Sequence, residues 1–120
     1  MNERTKMPQR RGGMKVRLSY GQFEFLVTMG YYPSGKIGEV FLSRDKAKET
    51  EIDSIARDVA ILISLCIQHG ISLKTLADSV TREHQNRPSS VIGAVLDLLL
   101  SAESLISNDH TSPSPVTTND

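Results

Sequence analysis

The hydrophobic pattern of this chain changes period once, and that change limits the possible folds more than any motif does. From Met14 to Ser43 apolar residues recur mostly at every second position, the period of a strand with one buried face. From Thr50 onward they recur at spacings of three and four, the period of a helix. In Met14–Tyr20 the residues Met14, Val16, Leu18 and Tyr20 alternate with Lys15, Arg17 and Ser19. Gly21 permits a turn, and over Gln22–Gly30 Phe23, Phe25, Val27 and Met29 share one face while Gln22, Glu24, Leu26 and Thr28 share the other. Tyr32-Pro33-Ser34-Gly35 carries turn chemistry: Pro presets φ at the second position and Gly tolerates positive φ at the fourth. Lys36–Ser43 then returns as a third strand with Ile37, Val40, Phe41 and Leu42. Three consecutive strands joined by short turns make an antiparallel meander.

Helical spacing predicts three elements after the Arg44–Lys48 loop. Glu49 or Thr50 opens a long helix to about Gln68, with Ile52, Ile55, Ala56, Val59, Ile63, Cys66 and Ile67 as its core stripe. Leu62 and Leu65 widen the stripe and Ile61 lies off it; Asp53, Ser54, Arg57, Asp58 and Gln68 supply the wet side. Gly70 sits where a left-handed residue closes a helix. Ser72 is an N-cap for a short helix whose apolar edge is Leu73, Leu76, Ala77 and Val80. Thr81–Asn86 reads as a polar loop. A last helix, from Val91 to about Ile106, is apolar almost all round, with Ser90, Gly93, Asp97, Ser101 and Ser104 as a narrow polar stripe. Such a helix must be covered, by the sheet and the first helix or by another subunit. The expected class is α+β: a three-stranded antiparallel meander followed by a long helix, a short helix and an apolar C-terminal helix.

The 120 residues hold one core of ordinary size. The domain body is read as residues 14–106, preceded by a flexible basic arm over 1–13 and followed by a disordered Ser/Thr/Pro-rich tail over 107–120. Net charge is zero, but it is unevenly spread. Residues 1–17 carry six bases (Arg4, Lys6, Arg10, Arg11, Lys15 and Arg17) and one acid, Glu3; the rest carry eight bases and thirteen acids. An arm of +5 thus faces a body of −5. Arg10, Arg11, Lys15 and Arg17 are the candidate phosphate or nucleic-acid contacts by counterion release. The simpler reading is an arm that docks on its own body or keeps the chain in solution, since no aromatic residues interleave the bases. The apolar runs Val59–Ile67 and Val91–Leu100 are about half the length a bilayer span needs. No apolar signal run follows the charged N-terminus, so the expected location is the cytoplasm, without membrane association.

Catalytic inventory is thin. One cysteine excludes an internal disulfide framework and a Cys-rich zinc site. His69, His84 and His110 form no ligand-spaced pair with one another or with Cys66. Cys66 lies on the apolar stripe of the long helix, where a thiol behaves as a small hydrophobe. The spacing of Gly35 and Gly38 lacks the strand–loop–helix context of a phosphate loop. Glu49, Asp53, Arg57 and Asp58 read as a solvated, salt-bridged helix face. The aromatics Phe23 and Phe25 read as core, ahead of a base-stacking platform. No catalytic, cofactor or metal residue is assigned.

One pattern is more specific than periodicity. The segments Met14-Lys15-Val16-Arg17-Leu18, Phe25-Leu26-Val27-Thr28-Met29 and Gly35-Lys36-Ile37-Gly38-Glu39-Val40-Phe41-Leu42 resemble the opening of the TSCPD domain. That domain is found at the C-terminal end of adenosylcobalamin-dependent (class II) ribonucleotide reductases. The order continues through Ile55-Ala56-Arg57, Leu62-Ile63-Ser64-Leu65 and Gln68-His69-Gly70-Ile71, so the resemblance covers about residues 14–100. Gly35, Lys36, Glu39, Val40, Phe41, Arg57 and Gly70 are its family-motif positions, structural in character. Two departures matter. Pro88-Ser89-Ser90-Val91 stands where the family has its Ser/Thr-Cys-Pro-Asp motif, and Tyr20 stands at another cysteine position. The reductase barrel, with its radical cysteine, redox pair and cobalamin, has no counterpart here.

The resemblance implies an accessory or interaction domain related to ribonucleotide reductase, tied to deoxyribonucleotide synthesis and not catalytic alone. A chain of this domain content would be classed with reductase components, and no autonomous catalytic site supports that. Adenosylcobalamin would enter only through an associated reductase. The expected partners are a reductase subunit or a second copy through the C-terminal helix. A small nucleic-acid binder using the basic arm is the alternative.

Overall fold

The computed structural model describes residues 3–45 and 48–111, with side chains placed as far as Ile106. Strands β1 (Gly12–Tyr20), β2 (Phe23–Tyr31) and β3 (Ile37–Ser43) form one antiparallel sheet in the order β1-β2-β3. Helices α1 (Glu51–Gln68), α2 (Leu73–Ser79) and α3 (Val91–Thr111) follow, so the α+β class and element order are those the sequence predicts. Gly21, at φ 58, takes the first position of the two-residue β1–β2 turn, a conformation strained for any side chain. Register is fixed because only one face of the sheet is apolar. Val27 pairs with Val16 and Leu42, and Met29 with Met14 and Val40, so a slip of one residue would turn this set to solvent.

The core lies between that face and the helices. Phe25, Val27, Met29, Ile37, Val40 and Leu42 of the sheet meet Ala56, Ala60 and Ile63 of α1 and Val91, Val95, Leu96, Leu99 and Ala102 of α3. Burying each of the larger side chains is worth about 1.5–3 kcal/mol relative to exposure. Ala77 and Leu73 of α2 fill the remaining side.

The buried face of α1 differs from the predicted stripe. Asp53, Ala56, Ala60, Ile63 and Gln68 are buried, whereas Ile55 and Leu62 are exposed at 48% and 58%. Two alanines explain the rotation: their small side chains let α1 settle closely on β3, and the neighbouring polar positions go in with them. Phe41 is likewise exposed, because its place in β3 puts it on the outer face. Helix α3 runs to Thr111, five residues past the predicted end at Ile106. Extending a nucleated helix adds a hydrogen bond per residue, and no proline intervenes before Pro113. The rest of the predicted tail, 112–120, lies outside the described residues. The predicted loop Thr81–Asn86 contains a turn of 3₁₀ helix, His84–Asn86, closed by a bridge between Arg82 and Pro88.

The close seating of α1 gives a measurable consequence. Replacing Ala60 by Leu pushes three carbon atoms into that contact and should lower stability by about 1–3 kcal/mol in urea unfolding. Leu62→Ala, on the opposite face, should change it by less than about 0.5 kcal/mol. Equal effects would place the buried face where the apolar count predicts it.

Candidate functional site

Several long-range side-chain hydrogen bonds gather at the β3 side of the sheet. Strand β3 is an edge strand, and its outward backbone groups would be left to solvent or to another chain. Three side chains take groups of Ile37, Gly38 and Val40. The Ser64 hydroxyl accepts from the Val40 N–H at 2.9 Å and lies 3.2 Å from the Val40 carbonyl, to which it can donate. Gln68 Nε2 donates to the Gly38 carbonyl at 2.8 Å, and Glu103 of α3 accepts from the Ile37 N–H at 2.7 Å. From Ile37 to Val40 the edge is thereby closed from within the chain, while among the described residues no group pairs with the outward N–H and C=O of Leu42.

Gln68 is also the hub of a corner. Its backbone carbonyl accepts from Thr5 N–H at 2.7 Å and its side-chain oxygen from Arg4 Nε at 2.5 Å. Tyr32 donates its hydroxyl to the Thr5 carbonyl, and burial raises the pKa of that phenol. Arg11 pairs with Glu39, whose side chain lies across Gly30, where a Cβ would collide with the carboxylate. The described part of the predicted flexible arm, residues 3–13, is therefore strapped over the end of the sheet, and β1 already begins at Gly12 within it. Its charge found an acidic partner on the body, the Glu39 that sequence reading had treated only as a motif position.

Family-motif positions fall mainly around this corner. Gly35 (φ 93) turns the chain between β2 and β3, and its N–H bonds the Tyr32 carbonyl at 2.8 Å. Gly70 (φ 97) ends α1, with Ile71 N–H bonding Cys66 O at 3.0 Å and Gly70 N–H bonding Ile67 O at 2.9 Å. Lys36 is exposed at the rim of a hollow shared with Tyr32, Gly70 and Glu103. Val40 is in the core, Phe41 is outside, and Arg57 pairs with Glu49 on the surface of α1.

The four candidate phosphate contacts do not form one patch. Arg11 is engaged with Glu39 and the Pro8 carbonyl, and Arg10 borders a hollow beside Tyr31 and Tyr32. Lys15 and Arg17 stand together on the outer face of β1, Arg17 within 4.0 Å of Glu24. Among the described residues no three His, Cys, Asp or Glu side chains converge as metal ligands. Cys66 is half-buried and His69 Nδ1 lies 2.8 Å from the Leu65 carbonyl, so the pair is not arranged as nucleophile and base.

Two ion pairs hold the helices, through Asp53 and Asp97, which the sequence places on polar helix faces. Arg44, at the end of β3, grips both oxygens of Asp53 at 2.5 and 3.0 Å, and its guanidinium lies 5.1 Å from the Phe23 ring centre and 5.6 Å from that of Phe25. Asp53 also accepts the Thr50 N–H at 2.8 Å, capping α1. Hydrogen bonding from Arg44 and then from the Thr50 backbone holds the Asp53 carboxyl far below the usual carboxylate range. Arg82 grips Asp97 of α3 at 2.8 Å through both oxygens and donates to the Ala77 carbonyl, and its hydrogen bonds to Asp97 hold that carboxyl below the usual carboxylate range.

A pH test follows from Asp53. The unfolded chain takes up its proton near pH 3.9 while the folded chain does not, so the contribution is present above that value and fades as pH falls below it. Asp53→Asn should be less stable at neutral pH and should lose less stability than the wild type between pH 5 and 3, read as urea midpoints. Parallel losses in the two proteins would remove Asp53 from this role.

Comparison with known proteins fits this geometry. No solved structure matches the chain. The vitamin B12-dependent ribonucleotide reductase of Bradyrhizobium diazoefficiens is 33% identical over 81 residues, which is 68% of this chain and 6% of that protein. That of Agrobacterium fabrum is 30% identical over 79 residues, 66% of this chain and 6% of the relative. This chain thus spans a small fraction of the length of either reductase. The TSCPD domain pattern matches residues 3–102, taking in the strap, the sheet, α1, α2 and the first half of α3. The chain belongs to the TSCPD domain family.

Proposed function

We propose that this protein is a non-catalytic accessory domain that acts by docking on a vitamin B12-dependent ribonucleotide reductase, in deoxyribonucleotide synthesis in the cytoplasm. The observation that carries the reading is the family match over residues 3–102, together with relatives in which the matching segment is 6% of a reductase. In those proteins the segment shares a chain with the rest of the enzyme; here the same fold would meet it as a partner. Cobalamin and the radical chemistry belong to the reductase in this reading, and what this chain supplies is surface. A second copy is the weaker partner, because α3 has committed Val95, Leu96 and Leu99 to its own core and leaves mainly Leu105 outside. Nucleic acid is weaker still, since the strap spends Arg11 on Glu39. No described helix is long and apolar enough to cross a membrane.

The test uses a B12-dependent reductase from which the matching segment has been deleted. Purified chain added in excess should co-elute with it and raise ribonucleotide reduction several-fold. Failure to co-elute with either the deleted or the intact enzyme, with turnover unchanged, would contradict the reading.

A further inference from the structure

The sheet has two edges, and this chain treats them differently. The β3 edge is closed from Ile37 to Val40 by Ser64, Gln68 and Glu103. At the β1 edge, strand geometry decides which groups point outward. Val40 turns its N–H and C=O to Ser64, so it is not bonded to its partner Met29, and Met29 must turn its own groups to Met14. Counting along β1, Lys15, Arg17 and Ser19 then face away from the sheet. The two-residue turn gives the same answer, because it is closed by Tyr20 and Phe23 as a bonded pair. Among the described residues no group pairs with the outward N–H and C=O of Lys15, Arg17 or Ser19.

The side chains agree. On the core side of β1, Met14, Val16 and Leu18 are only half-buried, while their partners Met29, Val27 and Phe25 on β2 are 0–1% exposed. A further strand would finish covering them. On the outer side, Lys15 and Arg17 are exposed and lie two residues apart, the repeat of an added strand. These charges also reject one occupant. Two copies of β1 side by side in antiparallel would set Arg17 against Arg17 or Lys15 against Arg17, and in parallel like against like. An edge guarded in this way against itself still accepts the opposite charge.

We propose that the free edge of β1 docks an extended protein segment with acidic side chains at alternate positions and apolar ones between them, which joins the sheet as a fourth strand. Main-chain hydrogen bonds to Lys15, Arg17 and Ser19 would supply affinity, and the alternation would supply specificity. The inference goes beyond the accessory role, and its test contains no reductase, so failure here leaves that role standing.

The full chain is titrated with a capped eight-residue peptide of alternating Glu and Val, followed by amide NMR. Lys15, Arg17 and Ser19 amides should shift, and their exchange with solvent should slow. A peptide with Lys in place of Glu should leave them unmoved. Arg17→Pro removes an outward N–H without touching the β2 ladder and should abolish binding. Should that variant fail to fold, the surface double variant Lys15→Glu, Arg17→Glu carries the test: it should lose the acidic peptide and gain the basic one. No shift with the acidic peptide at millimolar concentration would overturn the proposal. So would binding unchanged in Arg17→Pro, or oligothymidylate binding that the charge reversal removes and Arg17→Pro preserves.

Discussion

The contact on which this fold depends is the seating of α1 on β3. Ala56 and Ala60 let the helix axis come close, and closeness brings Ser64 and Gln68 within hydrogen-bond reach of the strand's outward backbone. An unpaired buried backbone group costs about 1–3 kcal/mol, so an edge strand packed under a helix needs such partners. The same approach buries Gln68, and Gln68 in turn receives Arg4 and the Thr5 N–H. Strap, edge and helix are therefore one arrangement, and loosening the helix would release all three.

Much of this was legible in the sequence, and what was hidden has a common cause. The strands were readable because alternation in Phe23–Met29 has a single interpretation when one face must be buried. The ends of α1 were readable because Thr50 and Gly70 carry cap chemistry. The rotation of α1 was not. Counting apolar bulk selects Ile55 and Leu62, while the structure selects two alanines, whose value lies in how little space they take. Asp53 and Gln68 were read as wet for the same reason. Their partners, Arg44 and Gly38, are 9 and 30 residues away, and no local pattern announces them. The one available signal was a polar Ser64 and Gln68 flanking an apolar run on the side of the alanines.

The strap alters the meaning of the charge asymmetry. A surplus of +5 over residues 1–17 suggests a free arm seeking phosphates. Folding places Arg11 on Glu39 and Arg4 on Gln68, and leaves Lys15 and Arg17 on the open edge of the sheet. Positive charge is thus divided between holding the sheet's end and marking its unpaired side. An open and charged edge is the side of this sheet that the proposed fourth strand would take.

The most direct measurement of this account is amide hydrogen exchange, residue by residue, on the free protein. One sheet edge closed by side chains and the other open predicts slow exchange at Ile37 and Val40 and fast exchange at Lys15, Arg17 and Ser19. Met14, Val16 and Leu18, which face β2, should be slow, and Ser64→Ala should release Val40. Protection of Lys15, Arg17 and Ser19 equal to that of Val16, or a Val40 amide indifferent to the loss of Ser64, would contradict it.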